Sequence, residues 1–299
     1  MSVQTYVNTY LDYCRYRKEL DMKTIKAYRI DLNQFTKFIT CEEPNKREIE
    51  KYITFLHKQY KQKTVKRKIA SIKAFYCFLE EEEYIEVNPL RKIKVKFKEV
   101  ETLPRIIPRK EIEQLLNYMY KNTKNKYEWR DLAIVETLFA TGARVYEISN
   151  IKVKNVDLDS GIIKIMGKGR KERYVQVGDT TVLGVLRNYY ISNETRIKES
   201  GYFFVNRLGK RFTEQSIRLM LKKYSIQAGI HRNITPHMFR HSFATYLIEE
   251  GVDISCIQQI LGHSSIKTTQ IYIHVAARIQ AEILRCKHPR NKMNIVNAA

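Results

Sequence analysis

The stretch TPHMFRHSFATYLIEEG (235–251) sets His237, Arg240 and His241 three and four residues apart. On a helix that spacing puts all three on or near one side, while Phe239, Phe243 and Leu247 support the other. Two histidines four residues apart also occur on zinc helices. That pattern needs a glutamate beside the first histidine, and Met238 stands there instead. No CxxC pair exists, so neither a metal nor any other cofactor is expected. A guanidinium is always charged, and its planar fork matches the oxygens of a phosphate, so Arg240 suits an oxyanion. Upstream, ATGARVYEI (140–148) sets Arg144 just after a glycine that closes an apolar run. An arginine at such a buried rim needs an anion, and Glu147, three residues on, offers one within the chain. Further along, His263 follows a glycine and Tyr272 comes nine residues later. With twenty tyrosines in the chain, Tyr272 has no special claim from its residue type alone.

These residues need elements to hold them, and the chain is long enough for two domains with their own cores: 299 residues. Lysine and arginine total 54 against 32 acids, a formal charge of +22. Such an excess points to a polyanionic partner, nucleic acid ahead of an anionic membrane surface. No run of about 18 or more apolar residues is present, and the start lacks a signal-peptide core. The expectation is a cytoplasmic protein, no membrane partner, and five scattered cysteines kept as thiols.

Residues 1–95 read as all helix. Ile25, Tyr28, Leu32, Phe35 and Ile39 recur at steps of three and four, as do Val65, Ile69, Ile72, Tyr76 and Leu79. The stretch HKQYKQKTVKRK (57–68), on the polar side of these helices, is strongly basic, and Lys61, Lys63, Lys66, Arg67 and Lys68 are expected to contact phosphates. Residues 96–109, rich in charge and holding two prolines, read as a linker. Residues 110–299 form the second domain. A helix through Ile112, Leu115 and Met119 is followed by one ending at Gly142. Then GIIKIMGKGRKERYVQV (161–177) reads as a β-hairpin with a basic tip, and YFFV (202–205) as one more short strand. Helices are expected near 213–228, 236–250, 253–262 and 265–274. The fold class is mainly α with a small β-sheet in the second domain.

The polar residues occur in the order R…K…HxxR…H…Y, at Arg144, Lys168, His237, Arg240, His263 and Tyr272. With ATGARVYEI, GKGRKER, HMFRHSFAT, LGHSSIKTTQIYIHV and KHPR in sequence, the chain resembles a tyrosine recombinase of the phage-integrase family, of the simple Xer type. The motifs span 140–290, and the helical first domain fits the family's core-binding, SAM-like domain. The resemblance implies a site-specific DNA recombinase that cuts and rejoins duplex DNA through a 3′-phosphotyrosyl ester and a Holliday junction. It implies a catalytic set of both arginines, both histidines, Lys168 and the nucleophile Tyr272. Glu147 would orient Arg144, and Arg170, Lys171 and Arg173 would touch DNA. The segment 276–288 would dock on a neighbouring subunit of a homo-tetramer assembled on two DNA sites. The resemblance also admits a sister recombinase or an accessory factor as partner. Ile273 departs from the threonine common after the nucleophile, and the tail 291–299 runs past the usual Xer end.

The chemistry agrees. A phosphodiester repels nucleophiles by its charge, and two arginines on its non-bridging oxygens lower that barrier. A phosphotyrosine ester stores the bond for religation, so no ATP is needed. Two other readings remain at this level: a type IB topoisomerase-like strand transferase, and a non-catalytic architectural DNA-binding protein.

Overall fold

The computed structural model describes residues 3–39, 44–93, 95, 97, 105–167 and 172–262. The chain divides into two compact units, Met1–Val100 and Glu101–Ala299. In the first, α1 (Val3–Asp12) runs into a π-helical turn at Tyr13–Arg17, followed by α2 (Met22–Phe38), α3 (Lys46–Gln59) and α4 (Gln62–Glu81). Local chemistry sets the starts. Asp21 caps α2 by accepting from the Lys23 amide at 2.8 Å, and Asn45 and Glu48 form a reciprocal capping box at α3. The apolar stripes meet in one core of Leu32, Phe35, Ile49, Tyr52, Leu56, Val65 and Phe75, all fully buried.

That core also contains charge. Asp31 is fully buried on α2 and accepts from three side chains of α4: Arg67, Lys68 at 3.0 Å and Ser71 at 2.9 Å. The Lys68 ammonium also donates to Gln34. This corrects one expectation of the sequence. Lys68 is buried and neutralises Asp31, because an unpaired carboxylate there would be costly, so it does not face a phosphate. Lys61, Lys63, Lys66 and Arg67 lie on the surface, Arg67 with one edge tied to Asp31.

The second unit opens with α5 (Arg109–Asn122) and α6 (Lys126–Thr141). Asn125 and Glu128 box the start of α6. Leu132, Ala133, Ile134, Val135 and Leu138 are fully buried along it, the mark of a helix enclosed by its neighbours. A short α7 (Val145–Ser149) leads through a 3₁₀ turn at Val153–Asn155 to a three-stranded antiparallel sheet: β1 (Val156–Asp157), β2 (Ile162–Met166) and β3 (Glu172–Gln176), in that spatial order. The register pairs Ile163 with Val175 and Ile165 with Arg173. Ile163, Ile165 and Val175 therefore share the buried face. Next come α8 (Thr180–Ser200), α9 (Glu214–Gln227), α10 (Pro236–Glu249) and α11 (Ile254–Leu261). Helix α6 packs against both α8 and α10.

Two differences from the sequence reading stand out. The sequence reading has no helix where the long α8 lies, although Asp179 caps its start and Gly201 its end, and Val182, Val185, Leu186, Tyr189 and Ile197 line its buried side. Residues 202–205 do not form a regular strand. They make isolated bridges, Lys152 with Tyr202 and Val205 with Arg211, and bury Phe203, Phe204 and Val205 in the core. The expected helix at 265–274 lies outside the described residues. Among the described residues no helix is long and apolar enough to cross a membrane.

Candidate active site

Arg240 lies on α10 and is 5% exposed. Its guanidinium closes the ends of two other helices. Nη1 donates to the carbonyl of Gly142, the residue capping α6, at 2.8 Å. Nη2 donates to the carbonyl of Leu261, the last residue of α11, also at 2.8 Å. Carbonyls at helix C-termini carry partial negative charge and lack partners within the helix, so a cation there is doubly favoured. The two bonds fix the plane of the guanidinium. They require close approach at Gly142, where φ is +58°: a Cβ there would lie 2.6 Å from Phe243 Cδ1 and 2.8 Å from Leu261 Cδ2.

Arg144 occupies the N-cap of α7 and is held by Glu147. The Arg144 amide donates to Glu147 Oε2 at 2.7 Å, and its Nη1 to Oε1 at 3.0 Å. Glu147 is 3% exposed and holds a second guanidinium: Arg173 donates from Nη1 to Oε1 at 2.9 Å and from Nη2 to Oε2 at 2.7 Å. Burial pushes the Glu147 carboxyl up, but the bonds and charges of Arg173 and Arg144 outweigh it and hold the group below the ordinary carboxylate range. Arg173 Nε donates to the Ile260 carbonyl at 3.0 Å. Arg173 was expected on DNA. Instead it points inward, because strand alternation puts it on the same side of β3 as Val175.

His237 sits in the first turn of α10 with an open edge to solvent. Its proton affinity is lowered, first by partial burial and then by the guanidiniums of Arg218, Arg240 and Arg144. The charges of Arg240, on α10, and of Arg144, at the start of α7, thus both reach His237. Arg218, on α9, joins them; no motif in the sequence pointed to it. His241 is half-buried, and burial followed by His237 and Arg240 lowers its proton affinity too.

Lys168, Arg170, Lys171, His263 and Tyr272 lie outside the described residues, as does 276–288. The described part of the site therefore brings together Arg144, Glu147, His237 and Arg240. The sequence signal for the inward side of Arg173 is its alternation with Val175 along the strand.

The described chain is thus a helical first unit and a helical second unit with a small antiparallel sheet, the second carrying Arg144, His237 and Arg240. The chain belongs to the phage integrase family: that family's model matches residues 105–278, and the model of its N-terminal SAM-like domain matches 7–83. A tyrosine recombinase of Agathobacter rectalis is 47% identical, over 97% of this chain and 98% of its own. Tyrosine recombinase XerC of Leptospira interrogans is 33% identical, over 94% of this chain and 92% of its own. The crystal structure of a XerH site-specific recombinase bound to palindromic difH substrate superposes with a TM-score of 0.76 at 22% identity, covering 94% of this chain and 84% of that one, which speaks to the fold. The activity is that of a tyrosine recombinase, a site-specific DNA recombinase that uses a tyrosine nucleophile.

Proposed function

We propose that Arg144 and Arg240 grip one backbone phosphate of duplex DNA while the phenol oxygen of Tyr272 attacks it. The single observation that carries this reading is that Arg240 donates to the carbonyl of Gly142, two residues before Arg144, and to that of Leu261, two residues before His263. Two guanidiniums on the non-bridging oxygens offset the charge that builds up in the transition state. The phosphorus–tyrosine bond forms as the bond to the 5′ oxygen breaks, which leaves a 3′-phosphotyrosyl ester. Lys168 gives its proton to the departing 5′ oxygen. His237, its proton affinity lowered by burial and by the nearby guanidiniums, accepts the phenol proton. His263 hydrogen-bonds the phosphate.

In this reading a homo-tetramer assembles on two DNA sites, with 276–288 of each subunit docked on the next. Strands exchange in pairs through a Holliday junction. The +22 charge and the exposed Lys61, Lys63, Lys66 and Arg67 support binding along the duplex, and the protein works in the cytoplasm. A nicked suicide duplex tests the proposal: the wild-type protein should accumulate a covalent DNA adduct, and Tyr272→Phe should form none. An adduct from Tyr272→Phe would remove Tyr272 from its role. Adduct without joining of two sites would favour a topoisomerase-like strand transferase.

A further inference from the structure

Arg144 cannot hold a phosphate well if its own counter-ion holds it too tightly. A buried glutamate beside an arginine tends to form two parallel bonds to the guanidinium, which is the strongest arrangement available to the pair. Here the fork on Glu147 belongs to Arg173, with bonds of 2.9 and 2.7 Å to the two oxygens. Among the described residues, the Arg144 guanidinium bonds Glu147 only once, through Nη1 at 3.0 Å; the second bond to the carboxylate comes from its backbone amide. The Arg144 side chain is 38% exposed, whereas those of Glu147 and Arg173 are 1% and 11% exposed. Arg144 therefore keeps an outer edge toward solvent, and Arg173 is the buried partner.

Arg173 has a third attachment. Its Nε bond to the Ile260 carbonyl ties β3 to the last turn of α11, and a Cβ on Gly262 would lie 3.0 Å from Arg173 Cδ. The charged groups acting on Glu147 come from its own helix, as Arg144, and from β3, as Arg173. Arg173 is thus one side chain joining α7, the strand that follows the basic hairpin tip, and the end of α11.

We propose that Arg173 is a positioning residue for DNA cleavage: it takes the fork of Glu147, so that Arg144 is oriented by a single side-chain bond and stays available to the phosphate, and it locks the C-terminus of α11 to the same carboxylate. The inference rests on the reading of Arg144 as a phosphate-gripping group. Without Arg173, Glu147 turns its two oxygens to Arg144 and sequesters it. The carboxyl also loses the strongest partner that opposes its burial, and its proton affinity rises.

The test is single-turnover adduct formation on the nicked duplex, followed from acidic to alkaline pH. Arg173→Gln should cut roughly 100-fold more slowly, the scale of losing an oriented group at the reacting centre. Its deficit should shrink toward acidic pH, where protonation of Glu147 releases Arg144. The double variant Arg173→Gln/Glu147→Gln, with no carboxylate to sequester Arg144, should lose that pH dependence. Arg173→Lys should recover part of the rate, because an ammonium supplies charge without the fork. DNA binding by mobility shift should change little in all three. If Arg173→Gln does not fold, Arg173→Lys carries the same pH comparison against Arg173→Lys/Glu147→Gln. Wild-type rates in Arg173→Gln overturn the proposal, and so does an equal slowing at every pH. If Arg144→Ala forms adduct as fast as wild type, the underlying reading of Arg144 fails instead, whatever the Arg173 variants do.

Discussion

Gly142 is where backbone, packing and the site coincide, and Gly142→Ala gives the most demanding test. At φ +58° an L side chain costs about 1 kcal/mol. A Cβ 2.6 Å from Phe243 and 2.8 Å from Leu261 overlaps both side chains, and overpacking of this kind costs about 1–3 kcal/mol. Together the loss is about 3 kcal/mol, which in a unit the size of Glu101–Ala299 lowers Tm by roughly 6–12 °C. The same shift moves the Gly142 carbonyl, one of the two anchors of Arg240. Cleavage should then fall by roughly 10- to 100-fold at temperatures where the variant is still folded, since small misplacements of a positioning group carry penalties of that order. Gly201 supplies the control. Its φ is +69°, but a Cβ there would meet nothing within 4 Å, so Gly201→Ala should show only the backbone cost of about 1 kcal/mol and cut normally. Calorimetry and the suicide-substrate rate decide the matter. If the two alanine variants match in both measurements, the argument that Gly142 spaces α6 against α10 and α11 is wrong.

Three further outcomes are expected. Arg240→Ala removes the donors to two helix-end carbonyls, so urea unfolding should report a loss of about 2–4 kcal/mol in the second unit, alongside loss of adduct; Arg240→Lys should recover part of the stability. Asp31→Ala leaves the buried Lys68 ammonium without its counter-ion and should destabilise the first unit by about 3–5 kcal/mol, whereas Lys68→Met together with Asp31→Leu should be close to neutral; unfolding of both variants checks this. The lowered proton affinity of His237 means that the unfolded chain binds its proton first as pH falls. Its stabilising contribution is therefore present in full above the ordinary histidine value of 6.5 and is lost as pH drops below that value; His237→Gln should flatten that part of the pH–stability curve.

Much of the fold could be read from spacing. The stripes of the first unit, the helix beginning at Pro236 and the hairpin at 161–177 all follow from apolar periods of three to four or two, and each element has the expected type. Helix α8 escaped because its signals are its caps, Asp179 and Gly201, more than a dense apolar run. Residues 202–205 misled because a short apolar run satisfies a buried loop as well as a strand. Within the site, Arg144, His237 and Arg240 stood out by residue type and order. So did Glu147, the partner of Arg144, but the groups that hold Arg240 did not: Gly142 and Leu261 act through backbone carbonyls, which no side-chain pattern marks.

The sequence by itself determined which groups are available: two well-separated arginines, a histidine before one of them, a basic hairpin and a large positive charge. It also determined the helical frame, since local period and capping are properties of neighbours along the chain. Only the tertiary structure decided how the cations divide. Lys68 and Arg173 look like their exposed neighbours in the sequence, yet Asp31, thirty-seven residues from Lys68, and Glu147, twenty-six from Arg173, draw them inside. The reason is that burying a carboxylate demands a cation at contact distance, and which cation arrives depends on how distant helices and strands pack.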